Sequence, residues 1–289
     1  MTSPGTSAAD GLSIRPMRPD ELSLVIDWAA AEGWNPGLSD AACFSVVDPD
    51  GFLVAERNGE PVATVSCLNY DDHFAFLGFY IVRPDMRGRG YGLRLWDAAM
   101  AHAGARVVGL DGVVAQQDNY RRSGFSYAYA NIRYGGRAAA LPAAVGADLV
   151  SLADVPTSHI EASDATVFAA PRRAFLQAWI STPQHVGRAL LRDGELVAWG
   201  VIRPCRAGYK IGPLVADRRA DAEAVIAALC GVIGDAEIFL DVPAINPEAV
   251  ALAEDLGLKP VFETARMYTG PIPPLRTERV FGVTTFELG

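Results

Sequence analysis

The stretch FYIVRPDMRGRGYGLRLWDAAM, Phe79 to Met100, decides how the rest of the chain is read. An apolar run stops at Pro84, then Gly88, Gly90 and Gly92 alternate with large residues, and an amphipathic segment follows. That order reads as strand, turn and helix. It gathers bare backbone N–H groups at a helix start, where the helix dipole favours an anion. Three phosphate-binding motifs compete for this turn. A P-loop ends in Lys followed by Ser or Thr, and the stretch has neither; the lysines of the whole chain are Lys210 and Lys259. A dinucleotide fingerprint spaces its glycines as GxGxxG within a first βαβ unit. Here the glycines alternate, and what precedes them is a meander.

The meander is legible from its turns. RNGEPVA (Arg57 to Ala63) and RDGELVA (Arg192 to Ala198) place Asn-Gly and Asp-Gly between apolar runs, the strongest short hairpin signal because both turn residues need positive φ. The two strings are also alike. So are GFSYAYANIR (Gly124 to Arg133) and GLKPVFETAR (Gly257 to Arg266), at nearly the same offset. Repetition at one offset indicates a duplicated fold. The Gly-, Ala- and Pro-rich run Tyr134 to Asp148 reads as the linker, giving lobes of residues 1–138 and 139–289. In the first lobe the periodicity predicts a helix in DELSLVIDWAAAE, capped by Asp20, with Leu22, Val25, Ile26 and Ala29 on one face. Further helices are expected over Asp40 to Ser45, Tyr91 to Ala103 and Asn119 to Ser123. Each lobe then runs β-α-α-β-β-β-α-β-α-β, an α/β (α+β) fold with a mixed, mostly antiparallel sheet flanked by helices. In the second lobe, helices are expected near His159 to Phe168, Arg172 to Ile180 and Ala220 to Ile233, and from Pro247 after the cap Asn246. The tail PIPPLRTERVFGVTTFELG reads as a Pro-broken linker and an apolar strand for the edge of either lobe.

Composition narrows the function. A net charge of −9 opposes broad nucleic-acid binding and suits a cationic or neutral small substrate. No apolar run reaches the about 20 residues of a membrane span. The start, MTSPGTSAADG, has no signal-peptide pattern and reads as a frayed tail. Cys43, Cys67, Cys205 and Cys230 are widely separated and read as reduced packing residues of a cytoplasmic protein. His102, His159 and His185 show no metal-ligand spacing.

The segment Arg87-Gly88-Arg89-Gly90-Tyr91-Gly92 fits Gln/Arg-x-x-Gly-x-Gly/Ala, with Arg87, Gly90 and Gly92 at the defining positions. With the V-x-P strand end before it and Gly124-Phe125 after it, the first lobe resembles the GNAT superfamily of acetyl-CoA-dependent N-acetyltransferases. The resemblance implies that the Arg87–Gly92 turn holds the pyrophosphate of acetyl-CoA. It implies that the backbone of Tyr80, Ile81 and Val82 pairs with the pantetheine arm and steadies the acetyl carbonyl. It also implies that Tyr120, in Tyr-x-x-x-Gly-Phe, protonates the departing thiolate. The family often has Asn six residues before this tyrosine; Val114 stands there, leaving Gln116, Gln117 or Asn119 as substitutes, with Ser123 nearby. The acceptor's base is open between Glu32, beside Gly33-Trp34-Asn35, and the cluster Asp71-Asp72-His73. Trp34 and Tyr70 are either an aromatic wall for an amine or packing residues. Cys67 lies mid-strand without an adjacent histidine, which opposes a role as acyl carrier.

The second lobe keeps the element order and loses the motif. GPLVADRRADAEA has no alternating glycines, and Ala253 stands where Tyr120 would be. The expectation is therefore one acetyl-CoA per chain, bound in the first lobe, with the second lobe forming a pocket wall or a homodimer surface. The function expected is direct transfer of acetyl to a primary amine of a small molecule, without a metal. A non-catalytic acyl-CoA sensor and a peptide or protein acetyltransferase are the alternatives.

Overall fold

The computed structural model describes residues 11–139 and 148–289. Most of the expected frayed tail and part of the expected linker lie outside them. The first half runs β1 (Leu12–Pro16), α1 (Leu22–Ala31), α2 (Asp40–Phe44), β2 (Phe52–Arg57), β3 (Glu60–Asn69), β4 (Phe74–Val82), α3 (Tyr91–Ala103), β5 (Val107–Val113), α4 (Gln117–Arg122) and β6 (Ser126–Gly136). The second runs β7 (Asp148–Ser151), α5 (Thr157–Asp164), α6 (Arg173–Ser181), β8 (Val186–Arg192), β9 (Glu195–Pro204), β10 (Tyr209–Ala216), α7 (Arg219–Ile233), β11 (Ile238–Pro243), α8 (Pro247–Asp255) and β12 (Lys259–Tyr268), with β13 (Val280–Gly282) beyond it. The order is the expected one, twice.

Local chemistry explains most of these elements. Asn58 and Gly59, and Asp193 and Gly194, all have positive φ, as the paired hairpin turns require. Asn246 caps α8 by accepting from the Ala249 N–H at 3.3 Å, with Pro247 at the first helical position. The buried face of α1 is Leu22, Val25, Ile26 and Ala29. Asp20 is not its cap. It lies in a 3-10 turn over Pro19–Glu21, and the Glu21 carboxylate instead accepts the Arg18 N–H at 2.8 Å and pairs with Arg15. The helix α5 stops at Asp164, short of the expected Phe168, because the Thr166 and Val167 N–H groups bond only three residues back, to the Ser163 and Asp164 carbonyls at 3.2 and 2.9 Å, tightening the last turn. The Asp164 carboxylate holds Arg172 in a bidentate pair at 2.9 and 2.8 Å.

The halves do not form separate sheets. One 13-stranded sheet runs in the order β1-β2-β3-β4-β5-β12-β6-β11-β10-β9-β8-β7, with β13 off this path and paired to β10. The last strand of each half has crossed into the other. β12 pairs with β5, β6 pairs with β11, and the two exchanged strands pair with each other antiparallel. Each is pinned by a buried ion pair at a matching register. Arg266 lies opposite Asp111 on β5 and binds it at 2.8 and 2.6 Å; Arg133 lies opposite Asp241 on β11 and binds it at 2.6 and 2.8 Å. Tyr134, Gly135 and Gly136, expected to begin the linker, belong to β6. Gly135 is there because a Cβ would lie 2.8 Å from the ring of Phe239, its cross-strand partner. A core around Phe44, Phe79, Phe175, Trp179 and Trp199 joins the halves, with Phe44 stacked on Trp179 at 6.1 Å between ring centroids.

All strand pairs in the sheet are antiparallel except β4–β5 and β10–β11. Both of those diverge after a few residues. β4 pairs with β5 only from Phe74 to Leu77, and β10 with β11 only from Tyr209 to Ile211. Each half therefore has a fork. In the second half, β13 enters the fork and pairs with β10 at Leu214 and Val215, while the Val283 N–H donates to the Asp241 carbonyl at 2.8 Å. The apolar tail strand is thus interior and buried, not on an edge. Gly282 lets it in, since a Cβ there would come 2.8 Å from Leu240.

Candidate active site

The fork of the first half is open. Beyond Leu77, β4 continues through a bulge at Phe79–Tyr80, where its pairing with β3 shifts register. Phe79 has φ of 47°, a conformation costing a bulky residue of order 1–3 kcal/mol. Aromatic packing against Phe44 and Phe52, at 5.9 and 6.2 Å, and the Thr64 hydroxyl donating to its carbonyl at 3.2 Å hold it there. The edge of Tyr80, Ile81 and Val82 then faces the fork rather than a strand.

A cleft of about 650 Å³ opens between this edge and α4. The glycine turn adjoins its outer end: Gly88, Gly90 and Gly92 line a hollow of about 200 Å³ that shares Tyr80, Val82, Arg87 and Leu93 with the cleft. Gly88 and Gly90 have φ of 75° and 79°, and Gly90 is the left-handed residue from which α3 starts. Gly92 is needed for space instead, because a Cβ would lie 2.5 Å from the Tyr80 hydroxyl, so only glycine lets α3 press against β4. The first-turn N–H groups of α3 have no acceptor within the helix. Arg87 reaches back, donating to the Val82 carbonyl at 2.9 Å and pairing with Glu32 at 2.5 Å. Glu32 thus stands at the cleft mouth as the arginine's counter-ion. Arg89 and Tyr91 flank the turn, Arg89 exposed and Tyr91 buried. On the opposite rim, Asn119 bonds to Gln116 and Arg122, and the Ser123 hydroxyl donates to the Asn119 carbonyl at 3.1 Å. Gln116, Asn119 and Ser123 line the cleft, whereas Gln117 bonds to Arg121.

Tyr120 lies at the inner end. Its ring stacks on Trp96 at 5.8 Å and meets Phe125 edge-on at 6.5 Å. It also lies over Gly112, where a Cβ would be 2.1 Å from the ring. Burial, with a smaller contribution from Tyr80, pushes its phenol up to about 12, so the hydroxyl keeps its proton at working pH. Tyr120 borders both this cleft and a second, inner cavity of about 60 Å³. Trp34, Phe79, Phe262, Phe286 and the carboxyl-bearing Asp111 and Glu287 border that inner cavity. Trp34 faces both spaces. Tyr70 does neither: its hydroxyl donates to the Leu288 carbonyl at 3.0 Å and its ring packs on Phe168. Asp71 caps the β3–β4 turn by accepting from the N–H groups of His73 and Phe74 at 2.7 and 2.8 Å, and Asp72 pairs with Arg106. That turn is at the joined end of β4 and β5, away from the fork. The four cysteines are unpaired, and burial raises the Cys67 thiol to about 12.

Sequence reasoning did not single out Gly78, Gly112, Phe286 or Glu287. An acidic residue inside the apolar run VFGVTTFELG was the available signal for Glu287.

A forked mixed sheet with a glycine turn at one end of the opening and a protonated phenol at the other defines an acyltransferase. The chain belongs to the GNAT superfamily of acetyltransferases. Residues 20–125 match the acetyltransferase (GNAT) family, and residues 160–282 match a second acetyltransferase (GNAT) domain family. The holothin acyltransferase of Pseudoalteromonas sp. (strain SANK 73390) is 32% identical over 277 residues, covering 95% of this chain and 94% of that one. A solved structure from Pyrococcus horikoshii has the same fold, with a TM-score of 0.83 at 21% identity, covering 100% of this chain and 99% of that one. A tandem GNAT protein from the clavulanic acid biosynthesis pathway superposes with a TM-score of 0.66 at 16% identity, over 90% and 99% of the two chains. Among the described residues, no helix is long and apolar enough to cross a membrane.

Proposed function

We propose that the protein transfers acetyl from acetyl-CoA to a primary amine of a small molecule, by direct attack, with acetyl-CoA held by the first half alone. The observation that carries this is the contrast in one feature: the β4–β5 fork is an open cleft ending at Tyr120, and the β10–β11 fork is filled by β13. In this reading the N–H groups of Gly88 to Gly92 and the side chains of Arg87 and Arg89 take the pyrophosphate. The freed edge of Tyr80, Ile81 and Val82 runs along the pantetheine, and Gln116, Asn119 and Ser123 hold its other side. A main-chain N–H of that edge steadies the oxyanion as the amine adds to the thioester carbonyl. The C–S bond then breaks, and the thiolate takes the Tyr120 proton. Glu32 keeps Arg87 extended across the cleft mouth.

The small inner cavity, of about 60 Å³, favours a small acceptor over a peptide chain. Holothin, named for the relative, is the first acceptor to try, followed by a panel of polyamines, amino acids and aminosugars, with free thiol as the readout. Calorimetry with acetyl-CoA is expected to give one site per chain. Two sites would overturn the assignment to the first half. Acetyl-CoA binding with no thiol release across the panel would replace the enzyme by a sensor.

A further inference from the structure

The segment that fills the second fork does not stop there. It leaves β13, passes Gly212 on β10 and reaches Gly78 on β4. A Cβ on Gly212 would lie 2.5 Å from the Val283 carbonyl oxygen, and one on Gly78 would lie 2.1 Å from the Glu287 carbonyl oxygen. Two glycines, one in each fork, thus admit one backbone. Along the way it is held by Arg172, which donates to the Thr284 hydroxyl at 2.9 Å, and by Tyr70, which donates to the Leu288 carbonyl. The result is that Phe286 and Glu287 become walls of the inner cavity beside Tyr120.

Glu287 differs from the other buried acids. Asp40, Asp111, Asp164, Asp221 and Asp241 each hold an arginine. Glu287 is 5% exposed, and no ion pair or hydrogen bond from a described residue reaches its carboxylate. The buried Lys210 ammonium, which also makes no hydrogen bond, offsets the charge of Glu287 only at a distance, so the carboxylate oxygens lack a direct partner, a costly state that a ligand can relieve. The cavity beside it holds roughly four waters' worth of space; the rings of Trp34, Phe79, Phe262 and Phe286 line it together with Arg133 and Asp111, whose charges are already matched by Asp241 and Arg266. That combination takes a cationic head carried on a flat apolar body.

We propose that Glu287 binds the ammonium of such an acceptor and removes its proton. This rests on the acetyltransferase reading above. The first proton goes from R–NH3+ to the carboxylate and on to solvent. The neutral amine forms the N–C bond, the C–S bond breaks, and the thiolate takes the Tyr120 proton. The proton left on nitrogen returns to the Tyr120 phenolate. Products are the amide, free CoA and one proton. Burial holds the Glu287 carboxyl above the usual carboxylate range. Asp40 on α2 and Asp241 on β11 also raise it, while Lys210 on β10 and Arg133 on β6 oppose them and Arg203 on β9 lies in the same cluster. Only the ionised form accepts a proton, so turnover falls as pH drops through that raised value.

The test compares benzylamine, an ammonium ion near neutral pH, with aniline, already a neutral amine. In Glu287→Gln, kcat/KM for benzylamine is expected to fall about 100-fold or more, and the acid-side fall of its kcat to vanish. The aniline rate and the calorimetric affinity for acetyl-CoA stay unchanged, and Glu287→Asp recovers part of the benzylamine rate. Benzylammonium binding to the CoA-loaded protein weakens about tenfold or more in Glu287→Gln. Equal losses for both amines with acetyl-CoA binding intact, or no loss for either, would overturn the proposal. So would a wild type that binds acetyl-CoA yet neither binds nor acetylates benzylamine. A wild type that does not bind acetyl-CoA fails the acetyltransferase reading itself.

Discussion

The two forks are built alike and used differently. Each opens where parallel strands part after a few paired residues, and each lies beside an exchanged strand locked by a buried Arg–Asp pair. In the first, Gly112 follows Asp111 and makes room for the Tyr120 ring. In the second, Val242 follows Asp241, and Ala253 replaces the tyrosine; both are buried in the core of that half. The glycine turn of the first half has no equivalent after β10, where Asp221 pairs with Arg192 and Arg218 and Arg219 pairs with Glu223. A duplicated scaffold therefore kept its packing in both copies. In the second, it exchanged a cleft for a strand. The residues that differ are those that leave space, which is the physical difference between a site and a core.

Substitutions can test that contrast from its strongest element downward. Asp241→Ala strands Arg133 in the core, and the protein is expected to lose about 3–5 kcal/mol of stability, read as a lowered denaturation midpoint. A loss under about 1 kcal/mol would mean that the matched pairs do not lock the exchange. Gly112→Val imports the second half's residue and drives Tyr120 out of place. We expect turnover to fall about 1000-fold with the fold intact by circular dichroism; a wild-type rate would show that the glycine is not what distinguishes the forks. Tyr120→Phe keeps the ring packing and removes the proton donor, so kcat should fall about 100-fold with acetyl-CoA affinity unchanged. Equal loss of binding would make it a packing residue. Arg87→Ala should weaken acetyl-CoA about tenfold through a lost charge-assisted contact, by calorimetry. Removing an arginine from the start of α7 in the second half, Arg218→Ala, is expected to leave that affinity unaltered. A pH profile sharpens the site further: with Tyr120 protonated up to about 12, no fall in kcat on the alkaline side should come from it near neutral pH.

Much of this was legible in the sequence, for identifiable reasons. Hairpin turns, the glycine turn and the Asn246 cap depend on neighbours within a few residues, and each was read correctly from them. The face of α1 followed from its period. The loss of the cofactor motif in the second half was visible at Asp217–Glu223 and Ala253. What was not legible depends on contacts between distant segments. The exchange of β6 and β12 leaves no local trace, since either arrangement satisfies the same strand pattern. Gly135 and Gly136 read as linker because their partners, Phe239 and Ile238, are about a hundred residues away in sequence. The tail read as an edge strand because nothing within it reports a fork waiting in β10 and β11. The strained backbone at Phe79 had no signal, as phenylalanine is a common strand residue.

The strand exchange also sets the order in which the chain can be completed. The outer edge of β5 is covered by residues 264–268, and that of β11 by residues 131–136. During synthesis the first half emerges with the edge of β5 unpaired and β6 lacking both of its neighbours, until nearly the whole second half has been made. Contacts of such sequence separation carry a large loop-closure cost and slow the final step. The first half is therefore expected to become protected from hydrogen exchange at β5 only when β12 arrives. Each copy of the duplicated fold supplies the last strand of the other, so neither half reaches its finished sheet first.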